Sequence, residues 1–221
     1  MQQFSECLDK KSGQCILNLG AGKEQPLDLP NKPYMLVNVD SGYFDGDISN
    51  TELVLFHKNY VQDSSYISKY TGKYFNTPGY VDFILKEDAF KFMEKYPLKF
   101  DRIVIYRFLE HVKRTDVLYF IYLMATSLKS GGVVDCIVPN YNALAGRILS
   151  EDPFGEEFEA EDIITTYELL NEPESPHCSI WTPARIRKFF MLEKRFSVIE
   201  MDDRFGFDGR DIYLRAIMKR V

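Results

Sequence analysis

Short apolar runs, separated by polar, Gly-containing or Pro-containing stretches, recur along the whole 221-residue chain. Each run is rich in Val, Ile, Leu and aromatic residues, a pattern typical of a buried β-strand. Seven segments have it: residues 15–19, 34–40, 81–85, 101–106, 133–138, 196–200 and 211–218. The sequence therefore predicts seven strands.

Three segments have the apolar spacing of a helix instead, namely residues 89–96, 115–128 and 183–192. We expect the second helix to be stopped by the pair Gly131 and Gly132. We expect four of its residues to share one face: Leu118, Ile121, Tyr122 and Ala125. Thr182 can cap the third helix, with Pro183 as the first helical residue.

Strands that alternate with helices predict an α/β fold. We expect a Rossmann-like, seven-stranded, mostly parallel sheet with a C-terminal antiparallel hairpin and helices on both faces. The length fits a single domain over residues 1–221, with an insertion at about 43–80 and an acidic lid at about 141–180. In such sheets, ligands bind outside the carboxyl ends of the strands.

Composition and charge narrow the class of protein. The net charge of -6 makes a nucleic-acid partner unlikely, because phosphate binding depends on clustered Lys and Arg. The longest apolar run, residues 117–125, is too short to span a membrane, and the N-terminus lacks the pattern of a secretory signal, so a cytoplasmic location is expected. The four cysteines form no Cys-x-x-Cys pair, which argues against a zinc or disulfide framework.

Two glycines directly follow the first predicted strand. Gly20 and Gly22 would let the backbone turn sharply and approach a ligand closely. Asp40 ends the second strand, where a nucleoside-binding fold places the acid that binds the ribose hydroxyls. Together these residues predict a nucleoside-containing cofactor.

The segment after Gly22 favours S-adenosylmethionine over NAD. A dinucleotide fingerprint requires a third glycine and a regular helix that meets the pyrophosphate, but position 25 is Gln25. Three prolines also interrupt the helix: Pro26, Pro30 and Pro33. S-adenosylmethionine has no phosphate, so the sequence favours it, and an NAD-dependent oxidoreductase is the least favoured alternative.

Six motifs occur in the order seen in one large family. They are Leu17-Asn18-Leu19-Gly20-Ala21-Gly22, Val37-Asn38-Val39-Asp40, Glu87-Asp88-Ala89, Phe100-Asp101-Arg102-Ile103-Val104, Phe108-Leu109-Glu110-His111-Val112 and Leu128-Lys129-Ser130-Gly131-Gly132. In these the chain resembles the class I S-adenosylmethionine-dependent methyltransferases, over roughly residues 14–140. The resemblance is greatest to small predicted members with Leu-Asn-Leu-Gly-x-Gly and Leu-Glu-His-Val motifs.

The resemblance implies a set of cofactor-binding residues. They are Asn18, Leu19, Gly20, Ala21, Gly22, Asp40, Ser41, Asp88, Ala89, Phe108 and Leu109. Asp88 would accept a hydrogen bond from the adenine amino group, although it could instead be only a helix N-cap. Some relatives hold magnesium with Glu-x-x-Glu-His; here Arg107 replaces the first Glu, so no metal site is predicted.

Methyl transfer to a hydroxyl requires a base, and histidine is suited to that role. His111 and His177, together with Arg107, are the candidate catalytic residues, whereas His57 is expected at the surface. Asn140, Tyr141 and Trp181 are the candidate substrate-binding residues. The alternative for His111 is a structural role at a helix start, and the alternative for His177 is packing of the lid.

The leading hypothesis is an S-adenosylmethionine-dependent methyltransferase that O-methylates a small or sugar-like acceptor. It draws on glycan-associated members of the group, in which a Val-Pro-Asn strand end precedes a His-containing stretch, as in Val138-Pro139-Asn140 and Pro176-His177. The alternatives are a protein or peptide methyltransferase, whose acidic lid contacts a basic partner, and a non-catalytic methyltransferase-like module. The residues do not indicate the oligomeric state.

Overall fold

A computed structural model describes residues 8–9, 13–20, 34–40, 53–55, 83–149, 177–207 and 210–221. The chain divides into two compact units, each described here by itself. The first comprises Met1–Val104 and Thr126–Gly132, and the second comprises Ile105–Ala125 and Val133–Val221. Among the helices in the described ranges, none is long and apolar enough to cross a membrane.

The described residues form eight strands and four α-helices. The strands are β1 (Gln14–Leu19), β2 (Tyr34–Asp40), β3 (Leu53–Leu55), β4 (Phe83–Lys86), β5 (Phe100–Tyr106), β6 (Leu128–Pro139), β7 (Phe196–Phe207) and β8 (Arg210–Arg220). The helices are α1 (Ala89–Lys95), α2 (Val117–Ser127), α3 (Tyr141–Leu149) and α4 (Pro183–Leu192), with a short 3-10 helix at Leu109–His111.

In the first unit the strands follow the order β3-β4-β2-β1-β5. β1 pairs in parallel with both β2 and β5, and β2 pairs in parallel with β4, while β3 is antiparallel to β4. Every residue of β1 after Gln14 is buried, as is every residue of β2 before Asp40. Strands covered on both faces need apolar side chains on both, which explains why the buried residues of β1 and β2 are apolar except for Asn18 and Asn38.

In the second unit β8 lies between β6 and β7, antiparallel to both. The predicted C-terminal hairpin is therefore confirmed, and with it the mixed α/β architecture. The strands of this hairpin are longer than predicted, since residues 204–207 belong to β7. The pairing of β7 with β8 continues through register shifts near Val198, Asp202 and Phe205. Such irregularities let a strand twist while it keeps its partner.

A buried carboxylate joins the strands of the second unit. Asp135 on β6 accepts a hydrogen bond from the Tyr106 hydroxyl at 2.8 Å. It also accepts bonds from Nε and Nη2 of Arg215 on β8, at 3.1 and 2.9 Å. Both carboxylate oxygens thus have partners, as a buried charge requires.

The helix starts follow the predicted capping chemistry. Thr182 caps α4, since its hydroxyl oxygen accepts from the Arg185 amide at 3.3 Å, and Pro183 is the first helical residue. Asp88 caps α1 through a bond from the Lys91 amide at 3.0 Å. The N-cap interpretation of Asp88 is thereby confirmed.

Three sequence predictions are wrong. The strands number eight within the described residues, because the segment predicted as an insertion at 43–80 contributes β3. Helix α2 exposes Leu118 and Tyr122, although both were expected on a shared face with the buried Ile121 and Ala125. Because residues 117–125 are all apolar, their spacing does not distinguish one face from another.

The third wrong prediction is that Gly131 and Gly132 stop helix α2. Both glycines lie inside β6. Gly131 has φ +75°, a conformation that L side chains rarely adopt. A Cβ at Gly132 would lie 3.0 Å from the Lys129 carbonyl oxygen and 3.1 Å from that of Asp101. Gly131 is therefore favoured by its backbone conformation and Gly132 by the close approach of two carbonyls, and α2 ends earlier, at Ser127.

Replacement of Asp135 by Ala should strongly destabilise the protein. It leaves the largely buried Arg215 guanidinium and the Tyr106 hydroxyl without their shared acceptor, which typically costs about 3–5 kcal/mol. Urea unfolding measures the loss. Glu200→Gln, at an exposed position on β7, is the control and should change stability by no more than about 0.5 kcal/mol. Equal stability of the two variants would contradict a stabilising role for Asp135.

Candidate functional site

The carboxyl ends of three neighbouring parallel strands carry the predicted cofactor residues of the first unit. Gly20 follows β1, Asp40 ends β2, and Asp88 comes two residues after β4. Because β2 pairs in parallel with both β1 and β4, all three residues lie at the same edge of the sheet. This is the edge at which open α/β sheets bind ligands.

The turn after β1 is fixed to β2. Gly20 has φ +60°, and its amide donates to the Val39 carbonyl at 2.9 Å. The Asn18 side-chain amide donates to Asn38 Oδ1 at 3.2 Å, with both side chains buried. Asn18 thus uses its hydrogen-bonding capacity to join two strands, and it positions the turn that follows.

The residues near the end of β4 are joined to β2 in the same way. The Glu87 amide donates to the Asp40 carbonyl at 3.2 Å, so the start of α1 lies beside the end of β2. Asp88 is exposed, and Ala89 is buried as the first residue of α1. Leu19 is buried in β1, while Ala21, Gly22 and Ser41 lie outside the described residues.

In the second unit Arg107 directly follows β5 in a left-handed conformation, with φ +49°. A non-glycine residue in this region carries a cost of roughly 1 kcal/mol or more. Its amide donates to the Ile137 carbonyl at 2.8 Å, and its side chain is exposed. The sharp turn leads at once into the 3-10 helix, in which Leu109 is fully buried, while Phe108 packs on Phe120.

Residues 177–181, which we term the strap, are bonded to this 3-10 helix. The amides of Cys178 and Ser179 donate to the Glu110 carbonyl at 2.7 and 3.0 Å. The Ser179 hydroxyl donates to the Leu109 carbonyl at 3.1 Å. At the other end of the strap, the Tyr141 amide donates to the Trp181 carbonyl at 3.0 Å.

These bonds bring the two predicted catalytic histidines together. The ring centroids of His111 and His177 lie 4.7 Å apart in an edge-on arrangement. Glu110, only 1% exposed, completes a group in which one ligand atom from each of the three residues lies within 4.8 Å of the others. Sequence reasoning missed Glu110, because it weighed this residue only within the Glu-x-x-Glu-His motif.

Burial shifts the pKa values of Glu110 and His177. It raises the pKa of Glu110 to about 8, against the smaller opposing effects of its own backbone and the Arg107 guanidinium. Burial, together with the nearby His111 and Arg107, lowers the pKa of His177 to about 4. At neutral pH, His177 is thus a neutral imidazole. The pKa of Tyr141 is raised by burial and by Glu110, so its hydroxyl stays protonated.

The three predicted substrate-binding residues have structural contacts. Asn140 donates from its side chain to the Asp203 carbonyl at 2.6 Å, and its Oδ1 accepts from the Asn142 amide at 3.1 Å. Trp181 is fully buried, with the Arg185 guanidinium 5.4 Å from its ring centroid. Tyr141 is partly exposed at the start of α3. Their contact with an acceptor remains a prediction.

The predicted acidic lid is described only at its ends. Helix α3 begins at Tyr141, where the lid was expected to begin, and the strap contains its final residues. Residues 150–176, which include most of the acidic stretch, lie outside the described residues, as do His57 and the proline-containing segment after Gly22.

No family model and no curated protein matches the sequence. Solved structures do match the fold. An S-adenosylmethionine-dependent methyltransferase from Methanosarcina mazei has a TM-score of 0.55 at 16% identity, over 96% of this chain and 94% of that one. The plantazolicin methyltransferase, in complex with a triazolic desmethyl analogue and S-adenosylhomocysteine, gives 0.55 at 12% identity, over 97% and 80%.

A third similar structure is the 1,6-didemethyltoxoflavin-N1-methyltransferase of Burkholderia thailandensis, with its substrate and S-adenosylhomocysteine bound. Its TM-score is 0.53 at 11% identity, over 94% of this chain and 71% of that one. This chain has the fold of the S-adenosylmethionine-dependent methyltransferases. The Rossmann-like α/β class predicted from the sequence is thereby confirmed.

Glu110→Gln should remove one component of the pH dependence of stability. The folded chain binds the Glu110 proton more tightly than the unfolded chain, so this contribution is complete below pH 4.5 and is lost as the pH rises to about 8. Glutamine does not titrate. The stability of Glu110→Gln relative to the wild type should therefore rise from pH 4.5 to 8. Urea unfolding across this range, with EDTA present, measures the difference, and parallel pH profiles would contradict it.

Proposed function

We propose that this protein is an S-adenosylmethionine-dependent methyltransferase that O-methylates a small, sugar-like acceptor. The observation that carries the proposal is the placement of Gly20, Asp40 and Asp88 at the carboxyl ends of the neighbouring strands β1, β2 and β4. Fold likeness alone does not fix function, so the proposal depends on what these residues can bind.

Each of the three positions suits one part of an adenosyl cofactor. Gly20, in its left-handed turn, lets the backbone approach the methionine portion without a Cβ in between. The Asp40 carboxylate can accept from the two ribose hydroxyls, and Asp88 can accept from the adenine amino group while it caps α1. Phe108 and Leu109 are proposed to flank the ribose and the sulfonium.

The reaction proposed is an in-line displacement. The acceptor oxygen attacks the methyl carbon, the carbon–sulfur bond breaks with its electron pair on sulfur, and the hydroxyl proton passes to a base. Orientation and exclusion of water supply most of the rate. His111 and His177 are the proposed proton acceptors; the His177 imidazole is neutral at pH 7, as a proton acceptor must be, but its pKa of about 4 makes it a weak base.

Arg107 is proposed to orient the acceptor, since its exposed guanidinium follows β5 in a fixed, left-handed turn. Asn140, Tyr141 and Trp181 are proposed to border the acceptor. A small molecule is favoured because the methyltransferase from B. thailandensis is described with such a substrate bound. A nucleic-acid partner is disfavoured by the net charge of -6.

Binding of S-adenosylmethionine should require Asp40. The wild type should show a higher melting temperature with S-adenosylmethionine or S-adenosylhomocysteine but not with NAD, since a ligand specific for the folded state stabilises it. Asp40→Ala removes a charged acceptor whose hydrogen bonds contribute about 1.5–3 kcal/mol each, so the Kd should rise at least about tenfold. Thermal unfolding measures the melting temperature, and calorimetric titration measures the Kd.

The matched control is Glu94→Ala, which removes an exposed acid on α1 and should leave the Kd unchanged. An equal response of Asp40→Ala and the wild type would show that the ribose assignment is wrong. The absence of a shift with either sulfur compound would overturn the proposed function.

A methyl-transfer screen tests the acceptor. Incubation with methyl-labelled S-adenosylmethionine and a panel of sugars, glycosides and phenols should place the label in an ether, detected as a product heavier by one added methyl group. Label on basic peptides would favour the protein methyltransferase alternative, for which the acidic residues 151–174 are the supporting feature. Cofactor binding without transfer to any class would favour a non-catalytic module.

A further inference from the structure

We propose that Glu110, His111 and His177 bind one divalent transition-metal ion, and that the acceptor hydroxyl coordinates this ion. The first statement rests on the geometry of the second unit alone, and the second rests also on the proposed function. The group combines two imidazoles and a carboxylate whose ligand atoms lie within 4.8 Å of one another. Two histidines and one carboxylate are a donor set that zinc and iron(II) sites commonly use.

The backbone holds these side chains together without a ligand. Glu110 and His111 are adjacent in the 3-10 helix that follows β5, and His177 is the first residue of the strap. The strap is bonded to the Glu110 carbonyl by two amides, directly after His177. A site assembled in advance in this way loses little conformational entropy when it binds an ion.

The Glu110 carboxylate supplies an independent indication of a bound cation. Its Oε2 atom is buried and has no hydrogen-bond partner among the residues that the structure describes. A buried polar atom without a partner costs free energy, and an unseen ion is one of the few explanations for such an atom in a native protein. A cation beside Oε2 would provide the missing interaction.

The distances fit a metal after a small closure. Zinc bonds of about 2.0–2.2 Å place neighbouring ligand atoms roughly 3.3–3.6 Å apart in a tetrahedral site. The 4.8 Å limit in this group therefore requires side-chain rotations that close the largest gap by roughly 1.2–1.5 Å. Three protein ligands leave a fourth position open, as in catalytic zinc sites.

The donor set selects the metal. Magnesium prefers oxygen ligands and keeps several of its waters, so two imidazoles and a buried carboxylate do not suit it. Imidazole nitrogens suit zinc and its first-row neighbours. Zinc is therefore the probe, with magnesium as the comparison ion.

With the ion bound, His111 and His177 would serve as its ligands and no longer as the proton acceptors, so an acceptor hydroxyl at the open position, polarised by the ion, would release its proton to water. The oxygen then attacks the methyl carbon of the sulfonium, a carbon–oxygen bond forms, and the sulfur leaves with the carbon–sulfur electron pair. The products are a methyl ether and neutral S-adenosylhomocysteine, with no change in oxidation state of the metal. The metal site therefore implies acceptors that carry a hydroxyl able to coordinate a metal ion.

The test begins with the full chain stripped by EDTA and then dialysed. Calorimetric titration with zinc chloride should show one ion per chain, and magnesium chloride should show no comparable binding. His177→Asn and Glu110→Gln should each weaken zinc binding by about 100-fold or more, because each removes a ligand. Circular dichroism establishes that the variants are folded.

Two controls and one spectroscopic measurement keep the result interpretable. His57→Asn removes the one histidine of the chain outside the group, and Cys178→Ser removes the thiol next to His177; both should bind zinc as the wild type does. Cobalt(II) added to the stripped wild type should give the intense visible bands of a four-coordinate site, a readout that needs no variant.

The outcomes separate the two proposals. Absence of zinc and cobalt binding in a wild type that binds S-adenosylmethionine would overturn the metal site and leave the proposed function standing. Zinc binding that is equal in the wild type, His177→Asn and Glu110→Gln would also overturn it. Site-dependent zinc binding without any binding of S-adenosylmethionine would support the metal site and overturn the function. Methyl transfer at an unchanged rate in stripped enzyme would overturn the metal's role with the acceptor.

Discussion

The carbonyl of Glu110 is the point on which the candidate site of the second unit depends. It accepts hydrogen bonds from the backbone amides of Cys178 and Ser179, and a longer one of 3.5 Å from the Ser179 hydroxyl, so one oxygen joins the 3-10 helix to the strap. Without these bonds nothing in the local sequence would bring His177 to His111, because the two lie far apart along the chain. The side chain of Glu110 is itself buried, and that burial raises the pKa of its carboxyl.

The first unit depends on a different constraint, the parallel pairing of its strands. Parallel strands place their carboxyl ends at one edge, so chain segments that leave β1, β2 and β4 must turn beside each other. Backbone bonds from Gly20 to Val39 and from Glu87 to Asp40 fix these turns. The proposed cofactor-binding residues are thus positioned by main-chain geometry, which many different side chains could support.

The features that could be predicted from the sequence are those determined by residues within one short segment of the chain. Runs of apolar residues located β1, β2 and β5, and the hydroxyl of Thr182 before Pro183 located the start of α4. The buried face of α2 was not predictable, because its residues are apolar on every side. The grouping of Glu110 with two histidines was hidden as well, since it arises from bonds between distant backbone segments and leaves no periodic signal.

Arg107 illustrates how a site can be maintained against the stability of its own fold. Its left-handed backbone would cost a glycine nothing, yet the position carries a long cationic side chain. Selection for thermal tolerance alone would favour glycine there, and would at the same time delete the charge beside Glu110 and His177. Under the proposed function, stability and chemistry therefore make opposite demands on this one residue.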